Sequence, residues 1–267
     1  MISCFNMGVG LGLRNEPRWR AQIQRAETER MSMIGGMVCS LSHDMRHSLS
    51  AIYANAEFLE RHNLCANERA VLVLEIQEAV LEMTERLDSV LQFATGGRKN
   101  QIVRGRVSLV VEKAVAAVKF HPDGRNVLIT VGQLPPVEAD IDAKNLESAI
   151  YNLLLNACQA ASCSVGVPEV QIHLAEADER IYVTILDNGP GIPASVRETL
   201  FDPFVTAGKP KGTGLGLTLA RRIAEEHRGS VCLEESKREW TVFTLSLTKD
   251  RRLASEEQNS GRVGIEA

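Results

Sequence analysis

Two kinds of hydrophobic periodicity divide the chain. Ile34, Val38, Leu41, Met45, Ile52 and Leu59 step by 4, 3, 4, 7 and 7, with Ser48 and Asn55 at the two skipped positions. A second run is more regular: Val73, Ile76, Val80, Met83, Leu87, Val90 and Ala94 alternate steps of 3 and 4. Both are heptad seams, apolar at the a and d positions. The polar break RHNLCANER at 61–69 separates them, so the pattern predicts an antiparallel helical hairpin over 17–97. One hairpin has a seam but little enclosed core. Pairing two hairpins into a dimeric four-helix bundle would bury that seam.

The Gly and charge cluster GGRKN at 96–100 has no apolar period, and a linker is expected over 98–105. Beyond it the period shortens. Residues 126–131 and 168–177 have strand character, and 181–187 and 240–247 alternate as half-buried strands do. Helical stretches at 143–161 and 215–228 interleave with them. The prediction over 106–248 is therefore an α/β sandwich, a sheet covered on one face by helices, and an α+β class for the whole chain. Residues 1–16 read as a frayed start without the basic flank of a signal peptide, and the polar stretch 249–267 as a disordered tail.

Composition narrows the function classes. With 267 residues there is room for two domains. A net charge of −4 argues against nucleic acid, which calls for a concentrated basic face. No apolar run reaches the ~18 to 20 residues of a bilayer span. The six cysteines include no C-x-x-C pair, which suggests neither a cysteine zinc site nor a redox dithiol and favours a reducing cytoplasm.

Four segments carry chemistry. GTGLGL, Gly212 to Leu217, enters a helix; its glycines allow close backbone approach, and the helix N-terminus favours an anion. Taken alone it also fits a helix-entry loop. DNGPGI, Asp187 to Ile192, closes a hydrophobic strand and places a carboxylate at the strand end, though any Asn-Gly turn looks similar. Asn152 and Asn156 lie four apart on one helix face, where asparagine is a poor helix former and an amide oxygen suits Mg²⁺. LFDPFVTAGKPK, 200–211, combines two Phe with Lys209 and Lys211 and reads either as a lid or as a surface loop.

In this order the four segments resemble the Bergerat-type ATP-binding domain shared by histidine kinases, type II topoisomerases, Hsp90 chaperones and mismatch-repair ATPases. The resemblance implies ATP and Mg²⁺ as cofactors. Asn156 would hold Mg²⁺ and Asn152 support the phosphates. Asp187 would take the adenine amine in a pocket shaped by Gly189 and Gly191. Gly212, Thr213, Gly214, Leu215 and Gly216 would form the phosphate turn, with Phe201 and Phe204 anchoring a lid that carries Lys209. The hairpin decides among these families: SLSHDMRHSLSAI, 40–52, is similar to the phosphoacceptor box of two-component histidine kinases. In the heptad register His43 falls at f, away from the seam, as an accessible nucleophile should. The resemblance, over roughly 25–248, implies autophosphorylation of His43 with Asp44 orienting its ring. It further implies transfer to a response regulator receiver domain, and a homodimer.

Departures from the family pattern are local. His47 replaces the usual Thr or Asn four residues after the acceptor, which puts phosphatase activity in doubt. Ser48 replaces the usual Pro, so no helix kink is expected there. The lid lacks the common Thr-Thr-Lys run, and Trp240 stands where Gly is frequent. Two other readings remain open from the residues alone: a nucleotide-binding scaffold without catalysis, and an ATPase or serine kinase on the same fold.

Overall fold

The computed structural model describes residues 42–43, 45–60, 64–95, 101–206, 214–236 and 240–250. It divides into two compact units, Met1–Ala94 and Thr95–Ala267.

In the first unit helix α1 covers 45–59, with 42 and 43 also helical, and α2 is Ala66–Thr95. Helix α2 starts with a reciprocal cap. The Cys65 backbone N–H donates to Glu68 Oε2 at 2.8 Å, and the Glu68 N–H reaches Cys65 Sγ at 3.4 Å. This is the geometry of a capping box with sulfur as the cap acceptor, and the Cys65 N–H bond to its carboxylate, then the Cys65 side chain, lower the Glu68 pKa. The helices run antiparallel. Asn55 Nδ2 donates to Glu75 Oε2 at 2.8 Å, and Arg69 Nη1 to Leu59 O at 3.4 Å. On α1 the half-buried positions include Met45, Ser48, Ile52, Asn55 and Leu59, the heptad seam with its two polar members. On α2 the seam splits: Ile76, Met83 and Val90 are half-buried, whereas Val73, Val80 and Leu87 remain 39%, 49% and 40% exposed. Leu72, Ala79 and Arg86 are half-buried beside the 76/83/90 line, so the covered face of α2 is turned by one residue from the seam that periodicity predicts.

The second unit opens with β1 (Val103–Arg106), so Val103 to Gly105, within the span expected as linker, are strand residues. They pair antiparallel with β3 (Glu138–Ile141). Between them lie α3 (Val107–Phe120), the short α4 (Pro122–Arg125) and β2 (Leu128–Val131). There follow α5 (Ala143–Ala161), β4 (Glu169–Ala177), β5 (Arg180–Asp187), α6 (Ala194–Arg197), α7 (Gly216–Glu226), β6 (Ser230–Ser236) and β7 (Thr241–Thr248). The main sheet has the order β2-β4-β5-β7-β6, antiparallel except for β2 beside β4. Helices α5 and α7 pack on it, and α3 packs on α5. Helix α5 buries Leu146, Ala149, Ile150, Leu153, Leu154, Ala157, Cys158 and Ala161, a stripe with helical spacing. Strand β5 buries every second residue, Ile181, Val183, Ile185 and Asp187, as a half-buried strand must. The outcome is the expected mixed α/β sandwich, with a helical hairpin preceding it in sequence. Lys249 extends the ordered part past β7: its N–H donates to Glu179 O at 2.9 Å and its ammonium pairs with Glu176.

Candidate functional site

Strand β5 determines where Asp187 points. It is the last member of the inward series, so the period of two carries a carboxylate into the domain interior, where it is 2% exposed. The Gly189 N–H donates to Asp187 Oδ1 at 3.0 Å, which turns the chain back over the carboxylate. Only glycine fits there: a Cβ would stand 2.8 Å from the Ala160 carbonyl carbon at the end of α5. Asn188 ties the same turn to the start of β4, accepting from Glu169 N at 2.9 Å and donating to Val167 O at 2.7 Å. Gly191 has φ +82°, a left-handed turn that suits glycine. The next residue, Ile192, donates its N–H to Ser236 Oγ at 2.7 Å, fastening the loop to β6.

The asparagines lie on the half-buried flank of α5, beside its core stripe. That helix begins at an Asp142 cap whose Oδ1 accepts from Asn145 N at 3.1 Å. Asn152 Nδ2 donates to Ser148 O at 2.8 Å, which pins the amide. The start of α7 lies directly against it: a Cβ on Gly216 would stand 2.9 Å from Asn152 Oδ1 and 3.6 Å from Asn156 Nδ2. Two motifs about 60 residues apart in sequence thus meet in one place. Leu215, 2% exposed, precedes α7 and supplies no side-chain cap. The helix carries no acidic residue in its first turn. Its first N–H groups and positive dipole end therefore face the asparagines without a built-in anion.

Phe204 and Gly214 meet at the two ends of the segment 205–213. Both are left-handed, φ +69° and +66°, and the Phe204 N–H donates to Gly214 O at 3.0 Å. Phe201 is anchored separately: its ring meets Phe243 edge-on at 6.4 Å, Arg221 lies over it at 5.9 Å, and its carbonyl accepts from Thr218 Oγ1 at 3.0 Å. Lys209, Lys211, Gly212 and Thr213 lie outside the described residues, as does Asp44.

One supporting residue escaped the sequence reading. His227, 5% exposed, accepts from the Asp142 N–H at Nε2 (2.9 Å) and its Nδ1 contacts Ile223 O at 2.7 Å. With Nδ1 protonated, both ring nitrogens are satisfied and the imidazole is neutral. It links the end of α7 to the cap of α5. Cys158 is fully buried; desolvation, then the nearby charges of Asp123 and Asp187, push its thiol up to about 12. A lone His in a charged helix end carries no sequence signal of its role, whereas a Cys in an apolar run reads as a small buried hydrophobe, as Cys158 is and the exposed Cys65, Cys163 and Cys232 are not.

On the hairpin, His43 and His47 are both exposed. Their Nε2 atoms are 3.3 Å apart, and the rings meet edge-on with centroids at 4.5 Å. The helix is continuous through Ser48. Arg46 contributes its carbonyl to Ser50 Oγ at 2.8 Å. Among the described residues, no helix is long and apolar enough to cross a membrane.

Comparisons with known proteins follow this geometry. Residues 141–251 match the family described as Histidine kinase-, DNA gyrase B-, and HSP90-like ATPase. Over 235 residues, 84% of this chain, the sequence is 32% identical to the C4-dicarboxylate transport sensor protein DctB of Rhizobium meliloti and covers 36% of that protein. It is 31% identical to the sensory histidine kinase/phosphatase NtrB of Rhodobacter capsulatus, covering 79% of this chain and 61% of the relative. It is 28% identical to the signal transduction histidine-protein kinase AtoS of Escherichia coli, covering 86% of this chain and 37% of the relative. The chain thus spans about a third to three fifths of these relatives' lengths. The histidine kinase ThkA, in a crystal structure with the response regulator protein TrrA, shares the fold at a TM-score of 0.61 and 18% identity, over 86% of this chain and 66% of ThkA.

Proposed function

We propose, from a chain that belongs to the two-component sensor histidine kinases and carries their ATPase-like domain at residues 141–251, that this protein phosphorylates its own His43 from ATP. It then passes the phosphoryl group to an aspartate of a separate response regulator receiver domain. The observation that carries the reading is the close approach of Gly216 to Asn152 and Asn156. It joins the asparagine helix and the glycine turn into one anion-accepting site, in a chain that also exposes a histidine on a helical hairpin.

Each residue has a part in this reading. Asp187 accepts the adenine amine. Its buried carboxylate, already engaged by Gly189, retains acceptor capacity. The N-terminus of α7 and Gly212 to Gly216 receive the phosphates, with Lys209 from the lid. Asn156 holds Mg²⁺, which supplies charge neutralisation on the transferring phosphoryl group. The neutral imidazole of His43 attacks the γ-phosphorus, the bond to the β-bridging oxygen breaks, and ADP leaves. Asp44 orients the ring and offsets the positive charge that develops on it. Val73, Val80 and Leu87, exposed on the hairpin, are covered by a second copy of the chain. ATP and a receiver domain meet in the cytoplasm, where the reaction runs.

Incubation with γ-labelled ATP and Mg²⁺ tests the reading. The protein should acquire an acid-labile, base-stable label that His43→Gln abolishes while ATP affinity persists. Full labelling of the His43→Gln protein, or an acid-stable label, would overturn it.

A further inference from the structure

The contact between His43 and His47 is not used by that mechanism. The two Nε2 atoms, 3.3 Å apart, are within reach of one N–H···N hydrogen bond. Two imidazole nitrogens bound to one tetrahedral metal ion stand at nearly the same separation. Zn–N bonds of about 2.0–2.1 Å meeting at a tetrahedral angle hold their nitrogens about 3.3 to 3.4 Å apart. The helix supplies the spacing, because residues four apart stand on one face, one turn above the other. Both rings are exposed, so an ion reaches them from solvent and completes its shell with water. Ligand chemistry then selects the ion: imidazole suits zinc, copper and nickel, while the Mg²⁺ of phosphoryl transfer prefers oxygen.

We propose that His43 and His47 form a two-point binding site for a divalent transition-metal ion such as Zn²⁺, and that its occupancy switches off phosphoryl transfer to His43. The switch half rests on His43 being the phosphoacceptor; the binding half does not. A coordinated Nε2 has committed the lone pair that would attack phosphorus, and the ion with its waters fills the space in front of the ring. Release of the ion restores the nucleophile with no covalent change. His47, whose bulk and basicity differ from the usual Thr or Asn, acquires a role as the second ligand.

The test uses the full chain. Zn²⁺ is titrated against a chromogenic zinc indicator in the presence of excess Mg²⁺, for wild type, His47→Ala and His43→Gln. The wild type should bind one more Zn²⁺ than either variant, or bind one Zn²⁺ at least tenfold more tightly. Nitrogen-15 spectra of histidine-labelled protein should show two imidazoles shifting together on zinc addition, and neither doing so in either variant. Autophosphorylation of the wild type should fall with Zn²⁺ over the same concentration range and return with a zinc-selective chelator. His47→Ala labelling should be at least tenfold less sensitive to zinc. Equal zinc binding by all three proteins would overturn the site. Zinc binding that leaves the rate of wild-type labelling unchanged would overturn the switch. A protein that binds zinc as expected but never labels, with or without zinc, would instead count against His43 as phosphoacceptor and leave the metal site standing.

Discussion

Gly214→Ala is the sharpest probe of how the nucleotide site closes. The residue has φ +66°, and holding alanine in that left-handed region costs about 1–2 kcal/mol. The new methyl would also stand 2.4 Å from the Phe204 carbonyl carbon and 2.5 Å from its Cα. These are backbone atoms, so no side-chain rotation relieves the overlap, and overpacking of this kind costs about 1–3 kcal/mol. Together the substitution stores about 2–5 kcal/mol at one junction. The strain has an easy outlet. Leu215 and Leu219 are 2% and 3% exposed and fix the α7 side, whereas Phe204 is 44% exposed. The Phe204 side should therefore yield, opening the Phe204 N–H bond to Gly214 O. ATP affinity should fall at least tenfold, the equivalent of about 1.4 kcal/mol, while the melting temperature moves by only a few degrees. Calorimetric titration with Mg-ATP, paired with a thermal melt followed by circular dichroism, measures both. Affinity within twofold of wild type together with an unchanged melt would refute the reasoning.

Three further outcomes are expected. Asp187→Asn should weaken ATP binding about tenfold or more, because a buried charge-assisted hydrogen bond contributes about 1.5–3 kcal/mol; unchanged affinity by calorimetry would remove the adenine assignment. Leu87→Asp should convert a dimer to monomers in light scattering, since a charge buried without a partner costs several kcal/mol; a wild type that is itself monomeric at micromolar concentration would sink the bundle. Cys158, with its thiol pushed up to about 12, stays protonated at pH 8 and should resist iodoacetamide in the native protein. The exposed Cys65, Cys163 and Cys232 should react, and peptide mapping that finds Cys158 alkylated equally fast would contradict its burial.

The sequence was most legible where one physical signal acted alone. Helix α5 coincides with the predicted 143–161, because a strong apolar stripe and an Asp142 cap agree on its limits. Strand β5 was as clear, since strict alternation survives to Asp187. Helix α3 was not foreseen. Its run VSLVVEKAVAAV is rich in β-branched residues that favour strands, and packing of Val107, Val111, Ala114 and Val118 against α5 overrides that preference. Strands β1 and β3 are four residues each, too short to show a period, and pair across the intervening residues 107–137. On α2 the hairpin seam was read only in part: Ile76, Met83 and Val90 are half-buried, but Val73, Val80 and Leu87 are exposed, and Ile34, Val38 and Leu41 lie outside the described residues. That split depends on which face the partner helix takes, and one-dimensional periodicity does not encode it. The site was legible as motifs; its assembly through Gly216, Gly189 and the His227 link depends on contacts between residues far apart in sequence.

The single backbone bond between Phe204 and Gly214 has a consequence for how this domain can change over time. It fastens the two ends of the segment 205–213 at one point, so the rest of the fold sees the junction and not the length of chain between. Closing a loop on fixed ends becomes only about 0.6 kcal/mol more costly each time its length doubles. Insertions and deletions there are nearly neutral for folding, while a single methyl on Gly214 is not. The segment is thus open to diversification between paralogues without the sandwich having to be rebuilt.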